Sequence, residues 1–274
     1  MNRLLKIEWL KLKNYRVFII IFSFFTLGVL TANYIVYSVF DNMINESSAK
    51  LLIGKFFPYD FTHTWQTTSY TAGYLLILPV LLIITLVTNE FTFKTSRQNV
   101  IDGLSRLQFI HTKMMLAFLL ALFSSFLVIV TAFLFGWFSG SDFSLNGFSH
   151  VGFFFLKALS YNLLAVFLSV WIRKTGFVVG VYFIYLGAEN IISQLLDLWS
   201  IKINKNYGFD LGSLGDYLPM NASDGLLTFP ENPIRAIAKG TMPTDYFWVV
   251  IIFVAIYLWM FYWLGKRNVV NKYL

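Results

Sequence analysis

The stretch NEFTFKTSRQNVIDGLSRLQFIHTK, residues 89–113, is polar, carries charges of both signs and lies between two long apolar runs. The chain as a whole is 57% hydrophobic and only 13% charged, which is far from the composition of a soluble domain. A bilayer core of about 30 Å requires roughly 20 apolar residues in a helix. The contrast between the polar stretch and its flanks therefore predicts an integral membrane protein in which residues 90–113 form a segment outside the bilayer.

Six apolar stretches are long enough to cross a bilayer. They are Val17–Phe40, Tyr70–Asn89, Met114–Phe138, Val151–Ile172, Gly176–Leu198 and Tyr246–Leu264. Each is apolar on all sides, whereas the strands of a membrane barrel alternate between polar and apolar residues. We therefore expect an all-α fold with six transmembrane helices in a single transmembrane domain over residues 1–274. The first span is longer than the apolar core of a signal peptide, so we expect it to be retained.

Lys and Arg residues are distributed unevenly among the segments that join the spans. Four segments carry 14 of the 21 Lys and Arg residues but only 3 of the 14 Asp and Glu residues, and these segments are 1–16, 90–113, 173–175 and 265–274. Because such loops face the cytoplasm, we expect cytoplasmic N- and C-termini and two outer loops, residues 41–69 and 199–245. The net charge of +7 is then a feature of topology, and we expect no nucleic-acid partner.

The N-terminal segment before the first span is basic and partly amphipathic. Leu5, Trp9 and Leu12 fall on one side of a helix, from which we expect an interfacial helix that lies along the membrane with these side chains toward lipid. An ordinary positively charged flank is the alternative.

Signatures of catalysis are missing from the chain. It contains no Cys and no G-x-x-x-x-G-K-[ST] motif, so we expect neither thiolate metal sites nor ATP binding through a P-loop. It has no H-E-x-x-H motif, and its three histidines are predicted to lie on opposite sides of the membrane, His111 inside and His63 and His150 outside. We therefore expect no catalytic residues, metal or cofactor in this chain, and an intramembrane enzyme is the least favoured alternative.

The polar segment contains its own helix signals. Thr95 or Ser96 can cap a helix over Arg97–Ile110 that is interrupted at Gly103. Val100, Leu104 and Leu107 have the spacing i, i+4, i+7 and form an apolar seam on this helix. Arg97 and Arg106 form a polar rim beside the seam. A helix of this kind packs against either the membrane surface or a groove in a soluble partner.

Several residues of this segment match the pattern of a known membrane family. The pattern begins with a Glu at the end of the second span, followed by a T-x-R motif and an apolar residue. A turn of small residues then precedes an S-R pair, and a Lys lies at the start of the third span. These positions are Glu90, Thr95-Ser96-Arg97, Ile101, Gly103-Leu104-Ser105-Arg106 and Lys113. With the six spans and the long loop before the last one, the pattern resembles the ABC-2-type permease family. One departure is Gly103, near which many members have Pro, so the geometry of this break is expected to differ.

The resemblance implies a permease subunit of an ATP-driven exporter in a bacterial-type cytoplasmic membrane, in contact with lipids. It also implies a second permease copy, as a homodimer or a heterodimer, and separate ATP-binding subunits that would hold ATP and Mg²⁺. The segment between spans two and three is then a coupling helix, with Glu90, Thr95, Arg97, Val100, Gly103, Leu104, Ser105, Arg106 and Leu107 as the coupling residues. A transporter, channel or scaffold that works without an ATPase is the alternative.

Three further residues stand out inside the predicted spans. Lys157 in span four and Glu189 in span five are both about 24 Å from the short turn between these spans, at about 1.5 Å per residue. They can therefore form a pair, either as a structural ion pair or with a role in substrate contact or gating; separate snorkelling toward the outer interface is the other possibility. Pro79 removes a backbone hydrogen bond from span two and predicts a kink.

Overall fold

The computed structural model describes residues 8, 10, 12, 13, 15–45, 56–101, 103–230 and 246–271. All regular elements within these ranges are helical. The α-helices are α1 (Arg16–Asn45), α2 (Thr64–Gly73), α3 (Ile77–Thr92), α4 (Thr95–Ile101), α5 (Arg106–Phe138), α6 (Ser149–Ile172), α7 (Thr175–Tyr207), α8 (Pro219–Gly225) and α9 (Phe247–Asn271). Six helical stretches are long and apolar enough to span a membrane, with α2 and α3 forming one of them. The prediction of an all-α membrane protein with six spans is confirmed.

The two ends of the helix bundle differ in charge. The end formed by residues 90–113, Arg173 and the last turns of α9 is called the basic end, and the end formed by residues 56–63 and 139–148 is called the opposite end. Successive spans run alternately between these two ends. The assignment of the basic end to the cytoplasm stays a prediction.

The second, third and fourth spans form the centre of the bundle. At least half of the apolar stretch of each of these spans is buried, compared with 17% for the first, fifth and sixth spans. Helix α6 packs against α3, α5 and α9. The outer helices α1, α7 and α9 therefore present most of their apolar surface outward, as expected of helices that face lipid.

The second span contains a short 3₁₀ turn near its middle, shortly before Pro79. Residues Tyr74–Leu76 form a 3₁₀ turn between α2 and α3, and Pro79 follows in the first turn of α3. Proline has no N–H to donate to the carbonyl four residues earlier, which here belongs to Leu75. The Leu75 carbonyl instead accepts a hydrogen bond from the backbone N–H of Ile77, and the kink at Pro79 stays a prediction.

The N-terminal segment does not place all its apolar residues toward lipid. Leu12 is only 5% exposed and belongs to the core cluster that contains Phe109, Ile110 and Met114. The prediction that Leu12 faces lipid is therefore wrong, because this side chain packs against the protein. Leu5 and Trp9 lie outside the described residues.

Residues 56–63 pack into the opposite end. Tyr59 is fully buried, and its hydroxyl donates a hydrogen bond to Asn33 Oδ1 at 2.9 Å. Burial raises the pKa of the Tyr59 phenol well above its usual range. This buried contact connects the segment before α2 to α1.

After α7 the chain turns back and runs along the same helix. We call residues 208–227 the return segment. Ser200 donates a hydrogen bond to the carbonyl of Gly212 at 2.5 Å, and Asp197 Oδ1 accepts from the Ser213 hydroxyl at 2.9 Å and from the Gly215 amide at 2.8 Å. Met220 at the start of α8 is 1% exposed, so the return segment packs into the helix bundle.

Candidate functional site

The basic end carries a helical hairpin that joins α3 to α5 through α4. Its two turns use left-handed backbone conformations, at Lys94 with φ 57° and at Gly103 with φ 97°. Only glycine adopts the second of these without strain, so the interruption expected at Gly103 is observed. Helix α4 is therefore a separate element and does not continue into α5.

Ser105 begins α5 with a capping box. Its hydroxyl accepts a hydrogen bond from the Gln108 amide at 3.2 Å, and the Gln108 side chain accepts one from the Ser105 amide at 2.9 Å. These bonds satisfy two backbone donors at the helix start. Helix α5 consequently runs without a break from Arg106 to Phe138, whereas the sequence had suggested that its first residues belong to a separate helix.

Removal of this cap tests how much it contributes to the stability of the protein. A Ser105→Ala variant is expected to lose about 1 kcal/mol of stability, which thermal unfolding of the purified protein in lipid nanodiscs would detect as a lower midpoint. Ser38→Ala is the matched control, because the Ser38 hydroxyl bonds only within its own helix. Equal midpoints for the two variants would contradict a structural role for the cap.

A buried cluster of three charges fixes the hairpin to the bundle. Lys113 Nζ lies 2.8 Å from Glu90 Oε1 and 3.0 Å from Glu8 Oε1, and the Lys113 side chain is 2% exposed. Glu90 lies in the last turn of α3, Lys113 lies in α5, and Glu8 precedes α1. Buried charges are tolerated when they are paired and hydrogen bonded. The cluster therefore connects three separate parts of the chain at the foot of the hairpin.

Apolar side chains project from the same hairpin. Ile101 at the end of α4 is 77% exposed, Phe93 just after α3 is 72% exposed, and Leu107 in the first turn of α5 is 40% exposed. These residues lie in the polar segment between two spans, outside the apolar stretches. Three exposed apolar side chains on one short polar segment make it a candidate surface for a partner or for the membrane surface.

The structure separates the predicted coupling residues into different roles. Leu104 packs against the core, so the predicted seam of Val100, Leu104 and Leu107 does not form one exposed face. The seam fails because it assumed helical geometry through Gly103.

Two of the polar coupling residues bind backbone carbonyls of the protein. Thr95 donates a hydrogen bond to the Glu90 carbonyl at 3.3 Å, and Arg106 donates one to the Val270 carbonyl of α9 at 3.3 Å. The side chains of Arg97 and Val100 lie outside what the structure describes. Sequence reasoning missed Phe93 and Glu8 as members of the site, although the exposed Phe93 could have been recognised as an apolar residue in a polar stretch.

Lys157 and Glu189 do not bind each other. Lys157 Nζ lies 3.2 Å from Asp224 Oδ1 in α8, and the Asp224 carboxylate also accepts hydrogen bonds from the Tyr161 hydroxyl at 3.0 Å. The ammonium group lies over the Tyr74 and Tyr161 rings. The pairing of Lys157 with Glu189 is thus corrected to Lys157 with Asp224, because the return segment places a closer carboxylate beside the lysine.

Glu189 instead holds the backbone of the return segment. Its Oε1 accepts hydrogen bonds from the amides of Met220 and Asn221 at 2.5 and 2.8 Å. The Asn221 side chain donates to the Glu189 carbonyl at 3.4 Å. The two intramembrane charges therefore fasten one segment from two helices, Lys157 from α6 and Glu189 from α7.

Neither the charge cluster at the hairpin nor the charged residues around the return segment have the composition of a metal site. Within the described ranges, no group of three or more His, Asp or Glu residues could hold a metal ion. The chemistry available at the basic end is recognition through apolar side chains supported by a buried charge cluster.

Comparison with known proteins gives the family. The family model described as "ABC-2 family transporter protein" matches residues 4–188, a range that includes the first four spans and the hairpin with its charge cluster. A comparison with curated proteins finds no significant match. The family match covers more than half of the chain, and the chain therefore belongs to the ABC-2 family of transporter proteins, as a multi-pass membrane permease.

Proposed function

We propose that this permease subunit binds a separate ATP-binding cassette subunit through the hairpin at its basic end and exports its substrate. The observation that carries the proposal is the pair of exposed apolar side chains, Phe93 and Ile101, on a hairpin that a buried charge cluster fixes to the bundle. Binding hot spots are side chains that fill a pocket of the partner and become fully desolvated, surrounded by a polar rim. Export as the direction follows from the resemblance to ABC-2-type permeases.

Energy transfer in this proposal depends on the rigidity of the hairpin. Helix α4 is joined to α3 and α5 through short turns, and Lys113 binds Glu90 across the base of the hairpin. A partner that moves α4 as it binds ATP therefore displaces both spans together. ATP and Mg²⁺ bind to the partner subunit. The permease then shifts between two arrangements of its spans, one of which ATP binding favours over the other.

The remaining subunits and the orientation follow from the same proposal. The basic end faces the cytoplasm, because the segments there carry most of the Lys and Arg residues. A second permease copy, identical or homologous, completes the path through the membrane, and the assembly resides in the cytoplasmic membrane in contact with its lipids.

Mild-detergent affinity purification of the tagged protein from its native cell tests the proposal. We expect an ATP-binding cassette protein to copurify in near-equal amount. A chain that purifies alone, or only with copies of itself, under conditions that preserve other such complexes would overturn the proposal and favour a transporter, channel or scaffold that works without an ATPase.

An Ile101→Asp variant sharpens this test. A charge in place of an apolar anchor is expected to weaken binding of the ATPase by about 30-fold or more, as at other interface hot spots, while membrane insertion stays unchanged. Leu145→Asp is the matched control, because Leu145 is also exposed but lies at the opposite end. Equal recovery of the ATPase with both variants would show that Ile101 rests on the membrane surface and not on a protein partner.

A further inference from the structure

An aromatic cleft lies at the opposite end, away from the hairpin. It has a volume of about 600 Å³ and is lined by the end of α5, the loop that follows it and Phe61. Its walls are Phe133 and Trp137 in α5 and Phe143 in the loop, with Asp142 next to Phe143 in sequence. Ring centroids of neighbouring pairs are 5.2–6.4 Å apart, so the rings form one continuous surface.

Specific packing builds the floor of this cleft. Phe61 lies so close to Gly136 that a Cβ on that glycine would be 2.6 Å from the ring. The Phe61 amide donates a hydrogen bond to Ser141 Oγ at 2.9 Å, and the Trp65 indole donates one to the Ser144 carbonyl at 2.9 Å. The loop after α5 is thereby fastened to the segment before α2, and the cleft is a fixed part of the fold.

The walls of the cleft are accessible although they are strongly apolar. Trp137 is 71% exposed, Phe143 is 60% exposed and Phe133 is 44% exposed. Single aromatic residues near the ends of membrane spans are common, since they anchor helices at the lipid headgroups. A concave set of four rings with a carboxylate beside it is more than such an anchor, because it combines ring faces and a negative charge in one place.

Asp142 supplies the negative charge. It is exposed, and within the residues that the structure describes it has no ion pair. The negative faces of aromatic rings attract cations within about 6 Å of the ring centroid, and Trp gives the strongest attraction. Three accessible rings and one carboxylate therefore favour a ligand with a single positive charge.

The chemistry of the lining narrows the ligand class further. Calcium and magnesium require several oxygen ligands, whereas the cleft offers one carboxylate among aromatic rings. A quaternary ammonium group is poorly hydrated and fits against ring faces, and aromatic cages recognise it in this way. We infer that the cleft formed by Phe61, Phe133, Trp137, Asp142 and Phe143 binds an organic cation of the quaternary ammonium class.

Two sources can supply this group, a free solute or a choline lipid headgroup, and both use the same contacts. The inference is independent of ATPase binding, because the cleft lies at the end of the bundle opposite the hairpin. Failure of one proposal would leave the other intact.

Choline titrated into the purified protein in phosphatidylglycerol nanodiscs, followed by saturation-transfer NMR, tests the inference. Choline is expected to bind, and neohexanol, its uncharged carbon isostere, is expected to bind more weakly. Trp137→Leu should lower the choline affinity by about three- to 30-fold, and Asp142→Asn should lower it by about fivefold, with an effect that salt reduces.

Two control variants separate the cleft from general effects. Trp248→Leu removes an exposed Trp at the start of α9, and Asp41→Asn removes one exposed carboxylate near the end of α1, so both should bind choline like the unmodified protein. Unchanged affinity in both cleft variants, or equal binding of neohexanol and choline, would overturn the inference.

The lipid in the nanodisc distinguishes the two sources. If phosphatidylcholine nanodiscs weaken the apparent affinity for choline in the unmodified protein but not in Trp137→Leu, the headgroup occupies the cleft. If the affinity is the same in both lipids, the ligand is a free solute. Both results support a quaternary ammonium site.

Discussion

A Lys113→Met variant is expected to lose about 3–5 kcal/mol of unfolding free energy, the typical cost of removing one partner from a buried ion pair. Methionine keeps the length and apolar stem of the side chain, so the loss reports the charge and not the packing. Without the ammonium group, the carboxylates of Glu90 and Glu8 remain close together at the foot of the hairpin. Their repulsion and incomplete solvation are expected to loosen the joint between α3 and α5.

Chemical unfolding of the purified variant in lipid nanodiscs measures this loss. Lys94→Met is the control, because Lys94 lies in the same hairpin but is exposed and should cost less than about 0.5 kcal/mol. Adding Glu90→Gln to Lys113→Met should recover part of the loss, since it removes one of the two opposing charges. A Lys113→Met variant as stable as Lys94→Met would show that the cluster does not hold the hairpin.

The second large effect is expected at Glu189. A Glu189→Ala variant removes the acceptor for two buried amides, Met220 and Asn221. Hydrogen bonds to charged groups contribute about 1.5–3 kcal/mol each, so loss of both corresponds to at least about a 100-fold decrease in protection. Hydrogen exchange measured by mass spectrometry on peptides from the return segment would report this decrease.

Glu189→Gln is the matched variant for this experiment. Glutamine retains an acceptor oxygen at the same position but removes the charge, so protection should fall by less than about tenfold. Peptides from α5, which Glu189 does not contact, serve as the internal reference. Equal exchange in the Ala and Gln variants would contradict the view that Glu189 fastens the return segment through these two bonds.

Much of the fold could be predicted from hydropathy, whereas the partners of the charged residues could not. Spans are local properties of about 20 residues, and each of the six is apolar enough to be recognised without its neighbours. The predicted pairing of Lys157 with Glu189 also rests on local information, their distances from one turn, with residues 199–245 expected to form an outer loop. The return segment brings Asp224 to Lys157 over a separation of 67 residues in sequence, and no periodicity reports such a contact.

In the candidate site, too, local features could be predicted from the sequence, whereas contacts between distant residues could not. Gly103 predicts a break in the hairpin, and the left-handed backbone at this residue agrees. The apolar seam was wrong at Leu104, because helical spacing loses its meaning once the backbone reverses at the preceding glycine. Leu12 was assigned to lipid for a similar reason, since a helical stripe identifies an apolar side but does not say whether protein or lipid covers it.

Helix α5 has a mechanical consequence that follows from its length. It begins at the Ser105 cap in the hairpin and continues for 33 residues to the wall of the aromatic cleft, a distance of about 50 Å. As a stiff lever arm pivoting at its basic end, it would convert a tilt of about 5° into a displacement of about 4 Å at Trp137. In the proposed complex, an ATPase that tilts α5 would shift Trp137 relative to the loop after α5 and change its contact with a bound cation. By thermodynamic reciprocity, a cation held between the rings of the cleft would resist the same tilt and be sensed at the distant nucleotide.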